Sequence, residues 1–200
     1  MPPQKKIILG ITGEKGGGKE AFARFLKQCV EQDHVTHATF AHHMFSDVLN
    51  ETLHIWNMPN AREYQQQFMG VMTEVFGADA LGKAVHKRII EDKAHLVVAD
   101  GIRRASEEKI IRSIPHSLIM YVTAPLEVRY ERSRQRVWRA GEENKSFEQF
   151  LREERAVTEV EIKEIGSRAD YVIKNAGSLR DLETQAKEFY ASAIRPRWKQ

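Results

Sequence analysis

The stretch GITGEKGGGKE at Gly10–Glu20 nearly matches a phosphate-binding pattern. The pattern is G-x-x-x-x-G-K followed by Ser or Thr, and Gly13, Gly18 and Lys19 occupy its fixed positions. An apolar block, Lys6–Thr12, precedes the glycines, and apolar residues recur at helical spacing after them. A glycine-rich turn before a helix points backbone N–H groups at an anion, and the helix dipole adds to the attraction. The stretch therefore predicts a strand, a phosphate-binding loop and a helix.

The predicted loop would bind a nucleotide through its backbone amides. Glycine adopts positive φ angles without steric cost, and the loop is rich in glycine. The Lys19 ammonium would reach the outer phosphates as a point charge. A tight structural turn is the alternative. The residues that we expect to contact the nucleotide are Gly13, Glu14, Lys15, Gly16, Gly17, Gly18, Lys19 and Glu20.

Glu20 stands where the pattern has Ser or Thr, whose hydroxyl normally binds Mg²⁺. A carboxylate is also a good ligand for a hard cation, and an acidic residue is favourable in the first turn of a helix. Without a metal, however, the carboxylate would repel the phosphates. We therefore expect Glu20 to bind Mg²⁺ and nucleotide binding to depend strongly on the metal. The alternative is a side chain that points into solvent.

Short apolar blocks alternate with longer helical patterns along the chain. The blocks are Lys6–Thr12, His95–Asp100, Ser117–Thr123 and Ala169–Lys174, with a weaker one at Ala38–Ala41. Short, continuous blocks of this kind are typical of parallel strands that are buried on both faces. Strands that alternate with helices form βαβ units. The sequence therefore predicts an α/β fold with a parallel sheet in a single domain.

Composition narrows the class of protein. Hydrophobic residues make up 42% and charged residues 30% of the 200 residues, which is typical of one globular domain, and the net charge of +3 supports nucleic-acid binding only weakly. The single cysteine, Cys29, excludes an internal disulfide and fits a reducing interior. No apolar run approaches the ~20 residues of a membrane helix, and no signal-peptide pattern is present. We expect a cytoplasmic protein, monomeric or homodimeric, without nucleic-acid or membrane partners.

The alternation of strands and helices is interrupted between Met44 and Asp92. This segment has helical patterns at Phe45–Trp56, Arg62–Phe76 and Asp79–Ile90 and no convincing strand. A long helical insertion in a small α/β domain favours a substrate-binding subdomain, and additional helical packing on one face is the alternative. We expect Trp56, Phe68 and Phe76 to belong to its core.

Several stretches resemble the nucleoside monophosphate kinase-like group of P-loop kinases, most closely the phage and archaeal deoxynucleoside monophosphate kinases and dephospho-CoA kinase-like proteins. The stretches are GEKGGGKE, VVADGIRR, TAPLEVRYERSRQR, ADYVIKNAGSLRDLE and FSDVLNETLHIWNMPNAREYQQ, and they cover most of the chain in the order found in the family. The resemblance implies a P-loop NTPase fold of about five parallel strands in the order 2-3-1-4-5, with ATP and Mg²⁺. It divides the one domain into a core (1–42, 93–137 and 166–200), a helical acceptor-binding insertion (43–92) and a lid (138–148).

Asp100 ends an apolar strand and would lie at the carboxyl edge of the sheet, where α/β proteins bind ligands. It would bind Mg²⁺ through water or assist the attacking oxygen, and a turn acid that caps the next helix is the alternative. The resemblance places this acid near the metal and Arg103 on the phosphate of the acceptor, with Arg104 as a substitute.

Arg129, Arg132, Arg136 and Arg139 recur at spacings that align them on one face of a continuing helix. The resemblance implies a lid that closes over ATP, with Arg132 and Arg136 stabilising charge on the phosphates. A solvated face paired with acidic neighbours is one alternative, and RNA binding by these arginines is another.

The remaining site residues depend on the resemblance. Asn175 and Gly177 follow the last predicted strand and would border the adenine, although a strand-to-helix turn explains them as well. The acceptor would lie near Asp47, Arg62 and Gln66, and helix capping is an alternative role for Asp47.

Together these features predict an ATP-dependent phosphotransferase. We expect it to move the γ-phosphoryl group to a nucleoside or deoxynucleoside monophosphate, with Lys19, Asp100, Arg132 and Arg136 as catalytic residues. A dephospho-CoA kinase-like enzyme would instead need a general base, such as Asp100 or Asp47, to activate a ribose hydroxyl. A nucleotide-binding module that is catalytically degenerate at Glu20 is the third possibility.

Overall fold

The sheet is built around β1 (Ile7–Thr12), the strand that leads into the glycine-rich loop. The other strands are β2 (Phe40–Met44), β3 (Leu96–Ile102), β4 (Ser117–Thr123) and β5 (Tyr171–Lys174). The computed structural model describes residues 5–135, 146–154 and 161–198. Within these ranges the strands lie in the order β2-β3-β1-β4-β5, and all neighbouring strands are parallel. The predicted α/β fold and the predicted strand order are both confirmed.

Helices follow the strands or extend the connections between them. They are α1 (Lys19–Gln32), α2 (Phe45–Ile55), α3 (Arg62–Phe76), α4 (Ala80–Glu91), α5 (Ala105–Arg112), α6 (Leu126–Gln135), α7 (Phe147–Glu154), α8 (Ile162–Ser167) and α9 (Leu179–Phe189). A π-helical turn (Tyr190–Ile194) and a 3₁₀ turn (Arg195–Trp198) come after α9. None of the helices in the described ranges combines the length and the apolar character that a membrane span requires.

Four strands differ from the predicted blocks. β1 begins one residue later, at Ile7, and β3 runs from Leu96 past Asp100 to Ile102. The differences in β2 and β5 follow from local hydrogen bonding. β2 continues beyond its predicted block, since its pairing with β3 runs on until Met44 lies opposite Asp100. β5 begins only at Tyr171, because the Asp170 side chain rather than a backbone carbonyl accepts the Ile119 N–H, at 2.7 Å. The extension of β2 brings its last residues to the same edge of the sheet as Asp100.

Helices cover both faces of the sheet. Successive side chains of β1 point to opposite faces, so Leu9 packs with Phe22 of α1 and Leu182 of α9, while Ile8 packs with Ile111 of α5. These five side chains are at most 1% exposed. Since both faces are closed by apolar packing, a polar ligand has access to the strands only at an edge where they end.

The segment between β2 and β3 is entirely helical, as expected, and α3 packs on α2 and α4. The prediction that Trp56 and Phe76 belong to a core is wrong, because their side chains are 75% and 61% exposed. Trp56 is the C-cap of α2 and Phe76 is the last residue of α3, so both side chains stand at helix ends. Phe68 is only partly buried.

Candidate functional site

The loop between β1 and α1 has the backbone of an anion-binding turn. Gly13, Gly16 and Gly18 have positive φ angles of 150°, 78° and 101°. A Cβ atom at Gly13 would lie 2.1 Å from the carbonyl oxygen of Val122 in β4. Gly18 is also the N-cap of α1, so the loop ends at the positive end of a helix dipole. Backbone conformation and close packing together explain why the stretch needs glycine.

The Lys19 side chain folds back over the loop. Its Nζ atom donates hydrogen bonds to the carbonyl oxygens of Gly13, at 2.6 Å, and Glu14, at 3.1 Å. Lys19 is the first residue of α1, so its charge adds to that of the helix N-terminus. This arrangement holds a cation over the glycine-rich loop.

The Glu14 side chain turns away from this cation and lies beneath the loop. It is 4% exposed, and its Oε1 atom accepts a hydrogen bond of 2.5 Å from the Tyr121 hydroxyl. Burial, together with the hydrogen bond to Glu14, raises the pKa of Tyr121 to about 12. The Glu14 side chain therefore anchors the loop to β4. Only the backbone of Glu14 is left for the predicted contact with a nucleotide.

Asn175 follows β5 and lies directly against the loop. It is 3% exposed, its backbone N–H donates to the Thr123 carbonyl at 2.7 Å, and its Nδ2 atom donates to the Gly17 carbonyl at 3.0 Å. Gly177, two residues further, is exposed. Asn175 thus stabilises the loop through its side chain. The prediction placed Asn175 beside the adenine and did not include this contact.

The two described arginines of the predicted stripe on α6 have different surroundings. Arg132 donates to the carbonyls of Asn175 and Gly177, both at 3.0 Å. Arg129 is 4% exposed and forms an ion pair of 2.6 Å with Glu154 of α7. It also donates to the Lys15 carbonyl at 3.3 Å, so this buried arginine joins α6, α7 and the phosphate loop.

The other two arginines of the stripe, Arg136 and Arg139, lie outside the described residues. Most of the predicted lid, 138–148, also lies outside them. Ser146 and Gln149 are described and form a capping box, since Gln149 N donates to Ser146 Oγ at 3.2 Å and Ser146 N donates to Gln149 Oε1 at 2.9 Å. This box caps the start of α7.

Asp100 lies at the carboxyl edge of β3, as expected, where a bulge at Gly101 shifts the pairing with β1. Its carboxylate is buried, and Oδ2 lies 3.3 Å from Nε2 of His42 in β2. No hydrogen-bond donor in the described residues reaches the buried Oδ1 atom. Because buried polar atoms are nearly always paired, this oxygen has the environment of a group that awaits a ligand.

The alternative role of Asp100 as a helix cap is taken by a different residue. Oε2 of Glu107 accepts the backbone N–H groups of Arg103, at 2.8 Å, and Arg104, at 3.2 Å, at the start of α5. Burial raises the pKa of the Glu107 carboxyl, and the two N–H donors oppose that rise. The Arg103 side chain is exposed and follows the same strand end as Asp100.

The residues that were expected to bind the acceptor lie on two different helices, α2 and α3, rather than in one loop. Oδ2 of Asp47 accepts the Met44 N–H at 2.7 Å, so this carboxylate caps α2. Arg62 begins α3, and Gln66 is an exposed residue on the same helix. Capping therefore explains Asp47, and the helix that carries Arg62 and Gln66 packs on α2.

Two metal ligands were expected, Glu20 and Asp100. Glu20 is an exposed residue in the first turn of α1, and Asp100 lies two residues before the end of β3, the strand adjacent to β1. Among the described residues, no group of three or more His, Cys, Asp or Glu side chains has the geometry to hold a metal ion.

Three contacts of the site were not predicted from the sequence. His42 contacts Asp100, Tyr121 binds Glu14, and Arg129 binds the loop backbone at Lys15. For His42, the available signal was the short block at Ala38–Ala41, whose last two residues begin β2.

The chain is similar to curated proteins over nearly its whole length. No family model matches the chain. The chain is 28% identical over 185 residues to a UPF0200 protein of Saccharolobus islandicus, and the aligned residues cover 92% of this chain and 91% of that protein. It is 26% identical over 195 residues to a UPF0200 protein of Aeropyrum pernix, with 97% of each chain covered.

Solved structures show which class the fold belongs to. Shikimate kinase from Acinetobacter baumannii, in complex with shikimate, has a TM-score of 0.55 and 19% identity over 96% of both chains. A gluconokinase from Sinorhizobium meliloti has a TM-score of 0.56 and 14% identity over 99% of this chain and 97% of that one. The TT1252 protein of Thermus thermophilus has a TM-score of 0.57 and 21% identity over 96% of this chain and 100% of that one. The chain shares its fold with these solved structures, two of which are kinases.

Proposed function

We propose that the chain is a phosphotransferase that moves the γ-phosphoryl group of ATP to a nucleoside or deoxynucleoside monophosphate. The observation that carries this proposal is the position of the Lys19 ammonium over a loop whose glycines have positive φ angles. Phosphoryl transfer depends mainly on positioning and on electrostatic stabilisation of the phosphates, which such a loop supplies. The fold of P-loop kinases supports the same reaction class.

In this proposal the chain binds ATP through the backbone of Gly13–Glu20, and Lys19 offsets the charge of the outer phosphates. Mg²⁺ fits the edge because the buried Oδ1 of Asp100 has no donor among the described residues. Glu20 and Asp100 would hold the ion, with phosphates and water as its other ligands, since Mg²⁺ usually keeps several waters. The metal would neutralise charge that develops on the transferred group. Arg136, which precedes the lid in the sequence, would add further positive charge.

The acceptor would lie between the edge of β3 and the helical insertion 43–92. Arg103 would bind its phosphate, while Arg62 and Gln66 of α3 would contact the rest of the nucleotide. An amide cluster favours a base here, because Gln65 Nε2 donates to Asn50 Oδ1 at 2.5 Å and to Asn60 Oδ1 at 2.8 Å between α2 and α3. Asparagine and glutamine amides can pair with the donor and acceptor edge of a base.

A coupled assay of ADP release tests the reaction and its acceptor. The panel contains nucleoside and deoxynucleoside monophosphates, dephospho-CoA, shikimate and gluconate. We expect ADP release above the ATPase background only with one or more monophosphates. Release with shikimate or gluconate alone, or ATP binding without release for any acceptor, would contradict the proposal.

A dephospho-CoA kinase-like activity is the second candidate. One observation favours it, because the His42–Asp100 contact resembles a pair in which histidine orients a carboxylate that acts as a general base. A hydroxyl acceptor needs such a base, whereas a phosphate acceptor does not. ADP release with dephospho-CoA and with no monophosphate would select this candidate.

Metal dependence of ATP binding tests the role of Glu20. In the Glu20→Ala variant we expect the Kd for ATP to rise about tenfold with Mg²⁺, because a metal ligand is lost, and to fall without Mg²⁺, because a repulsive charge is lost. Isothermal titration calorimetry measures both values. Glu31→Ala is the matched control, since Glu31 also lies on α1 and is exposed beside Lys27. A variant that binds ATP as tightly as the native chain in Mg²⁺ would mean that Glu20 only repels.

The wider setting of the protein follows from this activity. We propose that the chain acts in the cytoplasm on small-molecule nucleotides, as a monomer or homodimer and without nucleic acid. The same proposal assigns acceptor binding to 43–92, closure over ATP to the lid at 138–148, and the adenine to the neighbourhood of Asn175 and Gly177.

A further inference from the structure

One peptide of the phosphate loop is held by a side chain from the far end of the sheet. Nδ2 of Asn175 donates to the Gly17 carbonyl at 3.0 Å. The contact is closely packed, because a Cβ atom at Gly18 would lie 2.2 Å from the same Nδ2 atom. Asn175 is itself fixed by its backbone bond to Thr123 at the end of β4.

This contact determines where the next amide points. In a trans peptide, the carbonyl oxygen and the N–H of the following residue point in opposite directions. With the Gly17 carbonyl directed at Asn175, the Gly18 N–H is directed to the opposite side of that peptide. The Gly17 N–H is bonded to the Glu14 carbonyl at 3.1 Å within the loop. The Gly18 amide, at the N-cap of α1, is therefore the donor whose direction depends on Asn175.

Arg132 determines the orientation of the Asn175 side-chain amide, that is, which side its oxygen and its NH₂ group face. Its Nη2 atom donates to Oδ1 of Asn175 at 3.3 Å and to the Gly177 carbonyl at 3.0 Å, and Nη1 donates to the Asn175 carbonyl at 3.0 Å. A guanidinium group has only donors, so it selects the oxygen of the amide. The NH₂ group is left facing the Gly17 carbonyl, which accepts its hydrogen bond.

We propose that Arg132 and Asn175 are positioning residues for the polyphosphate of ATP, acting through the Gly17–Gly18 peptide. This inference rests on the proposed function and deepens it, because it gives both residues a role in phosphate binding that does not require contact with adenine or the γ-phosphate. Arg132 orients Asn175, Asn175 holds the Gly17 carbonyl, and the Gly18 N–H is thereby kept ready for a phosphate oxygen.

Inorganic tripolyphosphate separates this role from a contact with adenine, because it carries the phosphates without the base. In Asn175→Asp, an acceptor replaces the NH₂ donor opposite the Gly17 carbonyl. We expect the Kd values for tripolyphosphate and for ATP to rise by the same factor, at least about tenfold, at a fixed Mg²⁺ concentration. A rise for ATP with no change for tripolyphosphate would overturn the inference.

Arg132→Lys provides a second variant that keeps the charge but loses the planar fork. We expect it to weaken tripolyphosphate binding, and the Arg132→Lys, Asn175→Asp double variant to bind no more weakly than Asn175→Asp alone, since both changes act on one peptide. Arg134→Ala is the matched control, because Arg134 lies on the same helix and pairs with Glu131 on the surface. Unchanged tripolyphosphate binding in Arg132→Lys, or additive losses in the double variant, would refute the relay.

Thermal unfolding of each variant shows whether the folded state is kept, and Arg132→Lys decides the matter if Asn175→Asp does not fold. The outcomes also separate this inference from the proposed function. A native chain that binds neither ATP nor tripolyphosphate would refute the proposed function itself. A native chain that binds both, with variants that bind tripolyphosphate equally well, would refute only the positioning role.

Discussion

Replacing Lys19 with Ala is expected to lower kcat/KM for phosphoryl transfer by roughly 10²–10³-fold, the size of effect seen when one preorganised charge-stabilising group is removed. The Lys19 ammonium is already held over the loop by the carbonyls of Gly13 and Glu14. A cation placed in advance needs little reorganisation when a polyphosphate binds. Alanine leaves the first residue of α1 helical but removes this charge. Steady-state ADP release with the preferred monophosphate measures the loss.

The control for this prediction lies on the same helix. Lys27 of α1 pairs with Glu31 at 3.7 Å and is 52% exposed, so Lys27→Ala removes an equal charge away from the loop. We expect Lys27→Ala to keep the native kcat/KM. Lys19→Arg should not restore activity, because a guanidinium is larger than an ammonium and planar. Full activity in Lys19→Ala would mean that the loop does not bind the transferred phosphate.

The sheet was largely predictable because its strands are buried on both faces. A strand of this kind appears in the sequence as a continuous apolar block, and β4 coincides with the predicted Ser117–Thr123. α3 likewise coincides with the predicted Arg62–Phe76, where the helical period is uninterrupted. The strand order came from the resemblance, because local patterns do not specify which strands are neighbours.

Exposure in the helical insertion was less predictable. Periodicity shows that one face of a helix is apolar, but it does not show whether another layer covers that face. Trp56 at the end of α2 and Phe76 at the end of α3 are both exposed.

The supporting contacts of the site were the least predictable part. Arg129 and Arg132 belong to one regular pattern of arginines, yet the first is buried against Glu154 and the second binds Asn175. Each difference depends on a partner that is distant in the chain, and spacing within a helix carries no information on such partners. The loop itself was predictable because its chemistry is contained in consecutive residues.

Replacing Asp100 with Asn is expected to lower kcat by roughly 10²–10³-fold while the fold stays intact. The buried Oδ1 atom has no donor in the described residues, and Oδ2 lies 3.3 Å from His42 Nε2. Asparagine keeps the size of the side chain but removes the charge that would hold Mg²⁺ or assist the attacking oxygen. An amide is less costly to bury than an unpaired carboxylate oxygen, so the Tm should be unchanged or higher. A lower Tm with native kcat would instead identify Asp100 as a structural residue.

Asp92 provides the matched control, because it is also paired with a histidine of β2 but has no unsatisfied oxygen. Its Oδ1 atom accepts the Ala94 N–H at 2.7 Å, and its Oδ2 atom lies 2.8 Å from His43 Nε2. Burial acts to raise the pKa of Asp92, but these hydrogen bonds hold that pKa below its usual range. Asp92→Asn should therefore leave kcat unchanged but lower the Tm at neutral pH, and the difference from the native chain should shrink as the pH falls through the pKa of the carboxyl. Loss of activity without loss of stability in Asp100→Asn, and the reverse in Asp92→Asn, would separate the ligand-binding aspartate from the structural one.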